Sequence, residues 1–414
     1  MKADKTLITL YGLLAFFSLI FILSVAFLYK NDPIENLTPQ SSSQEFIEYI
    51  SSGEKTEKLL GSTFIKFFDV NGGEFLKICA SEKNSYGVLM KSYDGYRIYT
   101  MDSKGTVLYS FAAEKSSAQI NDIKYRDGLF ILAGSKEGFP YLGAYGATDG
   151  QLRWSNFLNI KGEFSTLRPV SQGYLAGGYS MTAQSKQALT AEFSLNGDTI
   201  WTDTYTRGDN EYISSIVSLA DGFFAIGSSN SNPLKDFNIF ILQYDIHGIK
   251  KFDGALIIDH HDETPLSAVS DKEENLFICG LRTDASSYIQ KSLILKIPFP
   301  KDDTDRLKET FLDIKAIDKQ SGLNSIIFQN NRAYCVGNIS TDDGKLCGFL
   351  KIINSDGSLY YERVYDVGEK TWLSDIIPTQ ENTLLIVGTT VKNGVKTPAV
   401  FSTDLKGGIS ETPE

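Results

Sequence analysis

Histidine, cysteine and proline are scarce in this chain of 414 residues, at 3, 4 and 11 copies. So few histidines, with no nucleophile-elbow sequence, leave no place for Ser-His-Asp chemistry. The four cysteines, Cys79, Cys279, Cys335 and Cys347, contain no C-x-x-C pair, which argues against a structural zinc site. Three of them lie in apolar runs such as Leu276–Cys279, where a thiol behaves as a small hydrophobe. Buried free thiols are therefore expected, and a disulfide outside the cytosol stays open from sequence. No phosphate-cradling glycine loop, arginine triad, paired catalytic carboxylates or quinone-binding set can be placed. No cofactor and no metal is expected.

Positive charge is also short. The formal net charge is −11. Lys2, Lys5 and Lys30 against Asp4 give the first 30 residues +2, so the remainder carries −11 − 2, or −13. An acidic domain repels phosphate backbones, which excludes nucleic acid as the natural partner.

What the chain does have is one long apolar run and many strand-forming residues. Leu7 to Tyr29 passes without a charge. As a helix it spans roughly 35 Å, enough for a bilayer core of about 30 Å. It is longer than the usual core of a cleaved signal peptide, although Ser24 and Ala26 offer a cleavage site. An uncleaved anchor is the preferred reading. Lys2 and Lys5 ahead of the run set the N-terminus in the cytoplasm and everything after Lys30 outside it. Residues 31–58 are polar and read as a stalk, with one short helix around Gln44–Ile50. The domain plan is anchor 1–30, stalk 31–58 and folded domain 59–414.

Length alone suggests two or three domains, but internal repeats override it. An apolar run closing on glycine recurs as Phe130–Gly134, Tyr174–Gly178, Phe223–Gly227, Leu276–Gly280, Ala333–Gly337 and Leu384–Gly388. The closing glycines lie 44, 49, 53, 57 and 51 residues apart, the length of one four-stranded blade. These strands are apolar at nearly every position, so both faces must be covered. Between them sits an Asx turn closing on glycine, with an aromatic four residues later. The copies are Gly105…Tyr109, Gly150…Trp154, Gly197…Trp201, Gly248…Phe252 and Gly357…Tyr361. Asx and Gly supply the positive φ of a tight hairpin. The aromatic is expected to pack on the neighbouring blade rather than stack a cofactor.

Asp221-Gly222-Phe223…Gly227 and Asn196-Gly197…Trp201 resemble the blade repeats of bacterial secreted or membrane-anchored β-propellers, over roughly residues 60–408. The resemblance implies an all-β, seven-bladed propeller of four-stranded blades behind an N-terminal transmembrane helix, and little about function. Pro298-Phe299-Pro300 replaces the Asx-Gly turn in the fifth blade, where the hairpin is in doubt. Sialidase-type Asp boxes have a different spacing.

Ring closure has two readings. In the preferred one, Phe64–Asp69 and Phe75–Ala80 share a blade with Leu384–Thr389 and Thr397–Asp404. In the other, Phe75–Ala80 opens blade one.

Two polar features invite a role. His260-His261-Asp262-Glu263 reads as a solvated loop rather than a metal site, because adjacent strand residues face opposite ways. Asp127, Gln172, Asp221, Glu274, Asn330 and Glu381 each enter an apolar strand, so they are expected to ring one channel mouth, where oxygen ligands suit a polar ligand or Ca²⁺. The plainer reading makes them turn formers. The function expected is a membrane-anchored extracytoplasmic platform for an envelope protein or a glycan. The alternative is an extracellular carbohydrate-active enzyme. A reporter fused after Glu414 is predicted to be active only outside the cytoplasm; cytoplasmic activity of that fusion defeats the N-in topology.

Overall fold

The computed structural model describes residues 63–410, except residues 71, 83, 232–235, 257–260, 272, 285–286, 301–309 and 312–319. The anchor, the stalk and its short helix lie outside the described residues. Among the described residues no helix is long and apolar enough to cross a membrane.

Seven four-stranded antiparallel sheets form the domain. Their first strands are Glu74–Ala80, Ala118–Arg126, Gly162–Val170, Glu211–Ser218, His261–Ser270, Ser321–Gln329 and Lys370–Pro378. Each first strand touches the first strands of the blades before and after it, and the last touches that of blade 1. The ring is closed, and these strands surround its axis. This is a seven-bladed β-propeller.

The apolar runs that close on glycine are the second strands, not the innermost ones. Their cover is as the sequence required: Leu129–Lys136, Gly222–Ser229 and Leu384–Lys392 are buried along nearly their whole length. Each cluster of buried side chains draws on two adjacent blades, as where Ile131 and Leu142 meet Leu167 and Ala176. All four cysteines are free and buried.

The aromatic after each turn packs as expected in two blades. Trp154 lies 5.9 Å from the ring of Tyr174 in blade 3, and Trp201 lies 6.2 Å from Phe223 in blade 4. Gly197, at φ +84°, shows why glycine closes the turn: a Cβ there would meet Trp154 at 2.3 Å. Blade 1 differs. Tyr109 is 49% exposed, and Phe111, two residues on, packs against Gly150. The register is not the cause, because Tyr109 faces Thr100 beside the same one-residue irregularity that follows Trp154 opposite Ala144 and Trp201 opposite Glu192.

In blade 5 the third strand ends at Pro298, and among the described residues Thr310–Phe311 pairs with it as the fourth. Phe299 instead packs on Phe224 of blade 4, ring centres 5.0 Å apart.

Closure departs from the preferred reading. Phe75–Ala80 does not share the last blade; it pairs with Ser85–Ser92 and opens blade 1. The last blade already owns three strands, Lys370–Pro378, Leu384–Lys392 and Val395–Thr403. One slot is left, and Phe64–Phe67 fills it against Val395–Thr403. Thr63 and Ser410 then join by side-chain hydrogen bonds, Oγ1 to Oγ at 2.9 Å. Deleting residues 59–67 therefore uncovers a strand edge and unfastens the two ends. The melting temperature is expected to fall by roughly 4–8 °C, against no change when residues 31–58 are removed. Equal melting of the two truncations contradicts this closure.

Candidate functional site

The six predicted mouth residues all lie in the turns between first and second strands, and all six are exposed. Alternate strands of a blade run alike, so these turns gather on one face, next to the axis. Asp127, Glu274 and Asn330 have φ of 49°, 60° and 51°, the left-handed region that Asx residues tolerate in hairpins. Among the described residues no hydrogen bond or ion pair joins any two of the six. Asp127 accepts from Arg126 Nε at 3.2 Å, and Arg126 reaches on to the Ser171 carbonyl of blade 3 at 2.9 Å. Glu381 accepts from Ser103 Oγ at 3.3 Å.

Blade 1 supplies a seventh member that the sequence reading omitted, the turn around Glu82 and Asn84, with Asn84 at φ 60°. Burial and a hydrogen bond to Glu82 push the Tyr125 phenol up to about 12. The missed signal was Asn84 itself, an Asx residue just ahead of a buried strand whose run does not end on glycine.

Deeper in, the sequence gives no warning of what the strands assemble. Every first strand carries a one-residue register irregularity, as at Phe75/Lys77, Ile120/Asp122 and Leu373/Asp375. A bulge re-aims the residue that follows it. The residues after it are Lys77, Asp122, Thr166, Ser215, Ser267, Ser325 and Asp375 in blade order. The inner edge of a first strand has no strand partner, so its N–H groups need other acceptors. This ring provides them across blade boundaries. Asp375 Oδ2 accepts from Ile78 N at 3.0 Å, Asp122 Oδ2 from Leu167 N at 2.8 Å, and Ser215 Oγ from Ala268 N at 3.1 Å. The other carboxylate oxygens are also engaged. Asp375 Oδ1 takes Ser325 Oγ at 2.5 Å and Ile376 N at 3.0 Å. Asp122 Oδ1 takes Ile123 N at 2.8 Å and Lys124 Nζ at 2.6 Å.

The His260–Glu263 segment needs correction. His260 lies outside the described residues, but His261 opens the first strand of blade 5 rather than a loop. Glu263 is fully buried, with Arg282 Nε 3.5 Å from its Oε1. Its counterpart in blade 4, Glu211, is equally buried and accepts from Ser229 Oγ at 2.9 Å. A general acid or base must reach its substrate, and neither glutamate has exposed surface. No group of three or more His, Cys, Asp or Glu suited to a metal occurs among the described residues.

No protein-family model and no curated protein matches the sequence. Solved structures do. A catalytically inactive virginiamycin B lyase from Staphylococcus aureus with quinupristin aligns at TM-score 0.53 and 11% identity, over 82% of this chain and 99% of that one. Drosophila Plexin A in complex with Semaphorin 1b aligns at TM-score 0.49 and 12% identity, over 83% and 86%. Sqt1 from Chaetomium thermophilum gives 0.49 and 12%, over 83% and 84%. At such identities the likeness to the lyase shows the fold alone.

Glu263 makes a pH test. Burial, reinforced by Asp262 and Asp236 and opposed by Arg282, raises its carboxyl from 4.5 to about 8. The folded state then holds a proton that the unfolded state releases near 4.5. The contribution of this one group to stability is greatest below 4.5, falls as pH rises through that window, and levels off above about 8. Glu263→Gln is expected to flatten the loss of melting temperature between about pH 5 and about pH 9. Parallel melting profiles for the two proteins rule this assignment out.

Proposed function

We propose that the chain is a membrane-anchored, extracytoplasmic propeller that serves as a docking platform for another envelope protein. The apolar run Leu7–Tyr29, with lysines ahead of it, supports the anchor and the orientation. The observation that carries the docking role is the outer strand of blade 1. In Val107–Lys115 the consecutive residues Val107, Leu108 and Tyr109 are all exposed. Among the described residues its outer edge has no strand partner. An open edge beside exposed apolar side chains is the arrangement that accepts an added strand from a partner.

The carbohydrate-enzyme reading has less behind it. It needs two carboxylates open to substrate, and the pair in blades 4 and 5 is shut in the interior. A glycan remains a ligand class that the exposed polar mouth suits.

In-cell crosslinking of the full-length protein, followed by purification, is expected to recover a defined envelope protein. Leu108→Ser with Tyr109→Ser is expected to reduce that yield about tenfold, with melting unchanged because both side chains are exposed. Undiminished capture by the double variant removes blade 1 as the docking edge. Glycan hydrolysis by the purified protein would replace the platform reading with the enzyme.

A further inference from the structure

The wall of the central channel is uneven around the ring. Blades 1 to 3 bring cations to it: Lys77 just after its bulge, and Lys124 and Arg168 two residues past Asp122 and Thr166, the residues that follow theirs. At the same level as Lys124 and Arg168, blades 5, 6 and 7 bring Val269, Ile327 and Ile377, which pack on one side against the buried clusters between blades and keep part of their surface exposed. One arc of the channel is basic and the other apolar, inside a protein whose formal net charge is −11.

Lys124 is committed to Asp122, at 2.6 Å. Lys77 and Arg168 are not so engaged. Neither donates a hydrogen bond or forms an ion pair to a described residue, and Asp375 and Asp122 act on them only at longer range. The two carboxylates have no need of them, because their oxygens are already engaged by backbone, serine and Lys124 donors. Burial opposes the charge on Lys77, but Asp375 and Asp122 together hold its proton affinity above the ordinary lysine value, so the ammonium persists at neutral pH. Burial lowers the proton affinity of Arg168 and Asp122 raises it; a guanidinium stays charged regardless. Arg168 is exposed although it lies on an innermost strand. Surface exposed there faces the channel or its mouth.

We propose that the channel binds an amphipathic organic anion. Lys77 and Arg168 hold its carboxylate or sulfonate, and Val269, Ile327 and Ile377 take its apolar body. The charge-assisted donors supply the strong contacts, since Arg matches an oxyanion with two parallel N–H groups. The apolar arc then distinguishes such a ligand from an inorganic anion, which has nothing to bury there. The site lies at the axis and does not depend on the docking strand at the rim of blade 1.

Titration calorimetry on the full-length protein in non-ionic detergent tests it, with naphthoate, its uncharged analogue naphthamide, and inorganic sulfate as probes. Saturable one-to-one binding of naphthoate is expected, with sulfate at least about tenfold weaker and naphthamide weaker still. Arg168→Gln and Lys77→Met are each expected to weaken naphthoate at least about tenfold. Arg168→Gln breaks no hydrogen bond and no ion pair, so its fold and melting temperature should be intact even if removal of Lys77 disturbs the two carboxylates. No naphthoate binding, equal affinity for naphthamide, sulfate bound as tightly as naphthoate, or naphthoate binding unchanged in Arg168→Gln each overturns the proposal.

Discussion

A strand that is apolar on both faces cannot sit at the surface of anything. That constraint shapes this molecule. The second strands, from Phe130–Gly134 to Leu384–Gly388, alternate too little to be half-solvated, so each needs a sheet on either side. A stack of such sheets would leave two naked ends. A ring leaves none, which is why the first and last blades have to meet. The fourth strand of the last blade then comes from the start of the domain. Phe64–Phe67 supplies it, and Thr63 with Ser410 ties the start of the propeller to its last blade.

Closing a ring creates a second difficulty at its centre. Seven first strands face the axis with unpaired inner edges, and their N–H groups are too deep to rely on bulk solvent. The bulge in each strand resolves this by turning the next side chain towards a neighbouring blade. Where that residue is aspartate or serine, it accepts from the adjacent backbone, as Asp375 does for Ile78 and Asp122 for Leu167. Two bulge residues add the complementary bond. Asn121 Nδ2 donates to the Phe164 carbonyl at 2.8 Å, and Asn324 Nδ2 to the Leu373 carbonyl at 2.7 Å, each one blade further on.

The blade count, the four-strand period and the turn glycines were legible in the sequence because they rest on local chemistry: apolar runs and Asx-Gly hairpins. The packing of Trp154 and Trp201 followed from the same pattern. Strand order was harder to read. An apolar run shows that a strand is covered on both faces but not how near the axis it lies, and in this propeller the best-covered strand is the second. The first strand is half-polar and carries no glycine signature, so nothing in the sequence marks Lys370–Pro378 as a strand of the last blade. Glu263 was hidden for a related reason. A run of His, Asp and Glu looks solvated, and only the neighbouring blade turns one member of it inward.

Repetition itself indicates where to look for specificity. Positions that serve the fold alone hold an apolar residue in every blade, as Ile78, Ile123, Leu167, Ile216, Ala268, Ile326 and Ile376 do between blades. The position just before each of these keeps no such uniformity. It holds a lysine, two aspartates, a threonine and three serines. Capping an inner-edge N–H explains aspartate and serine there. It does not explain Lys77, which offers donors where an acceptor is wanted. Nor does it explain Arg168, which extends a cation into the same space with no carboxylate in hydrogen-bond contact. A ring that needed only closure would have no use for either, and both stand on the same arc of the channel, opposite an apolar one. The break in the repeat is therefore chemical as well as geometric, and it falls on the strands that surround the axis.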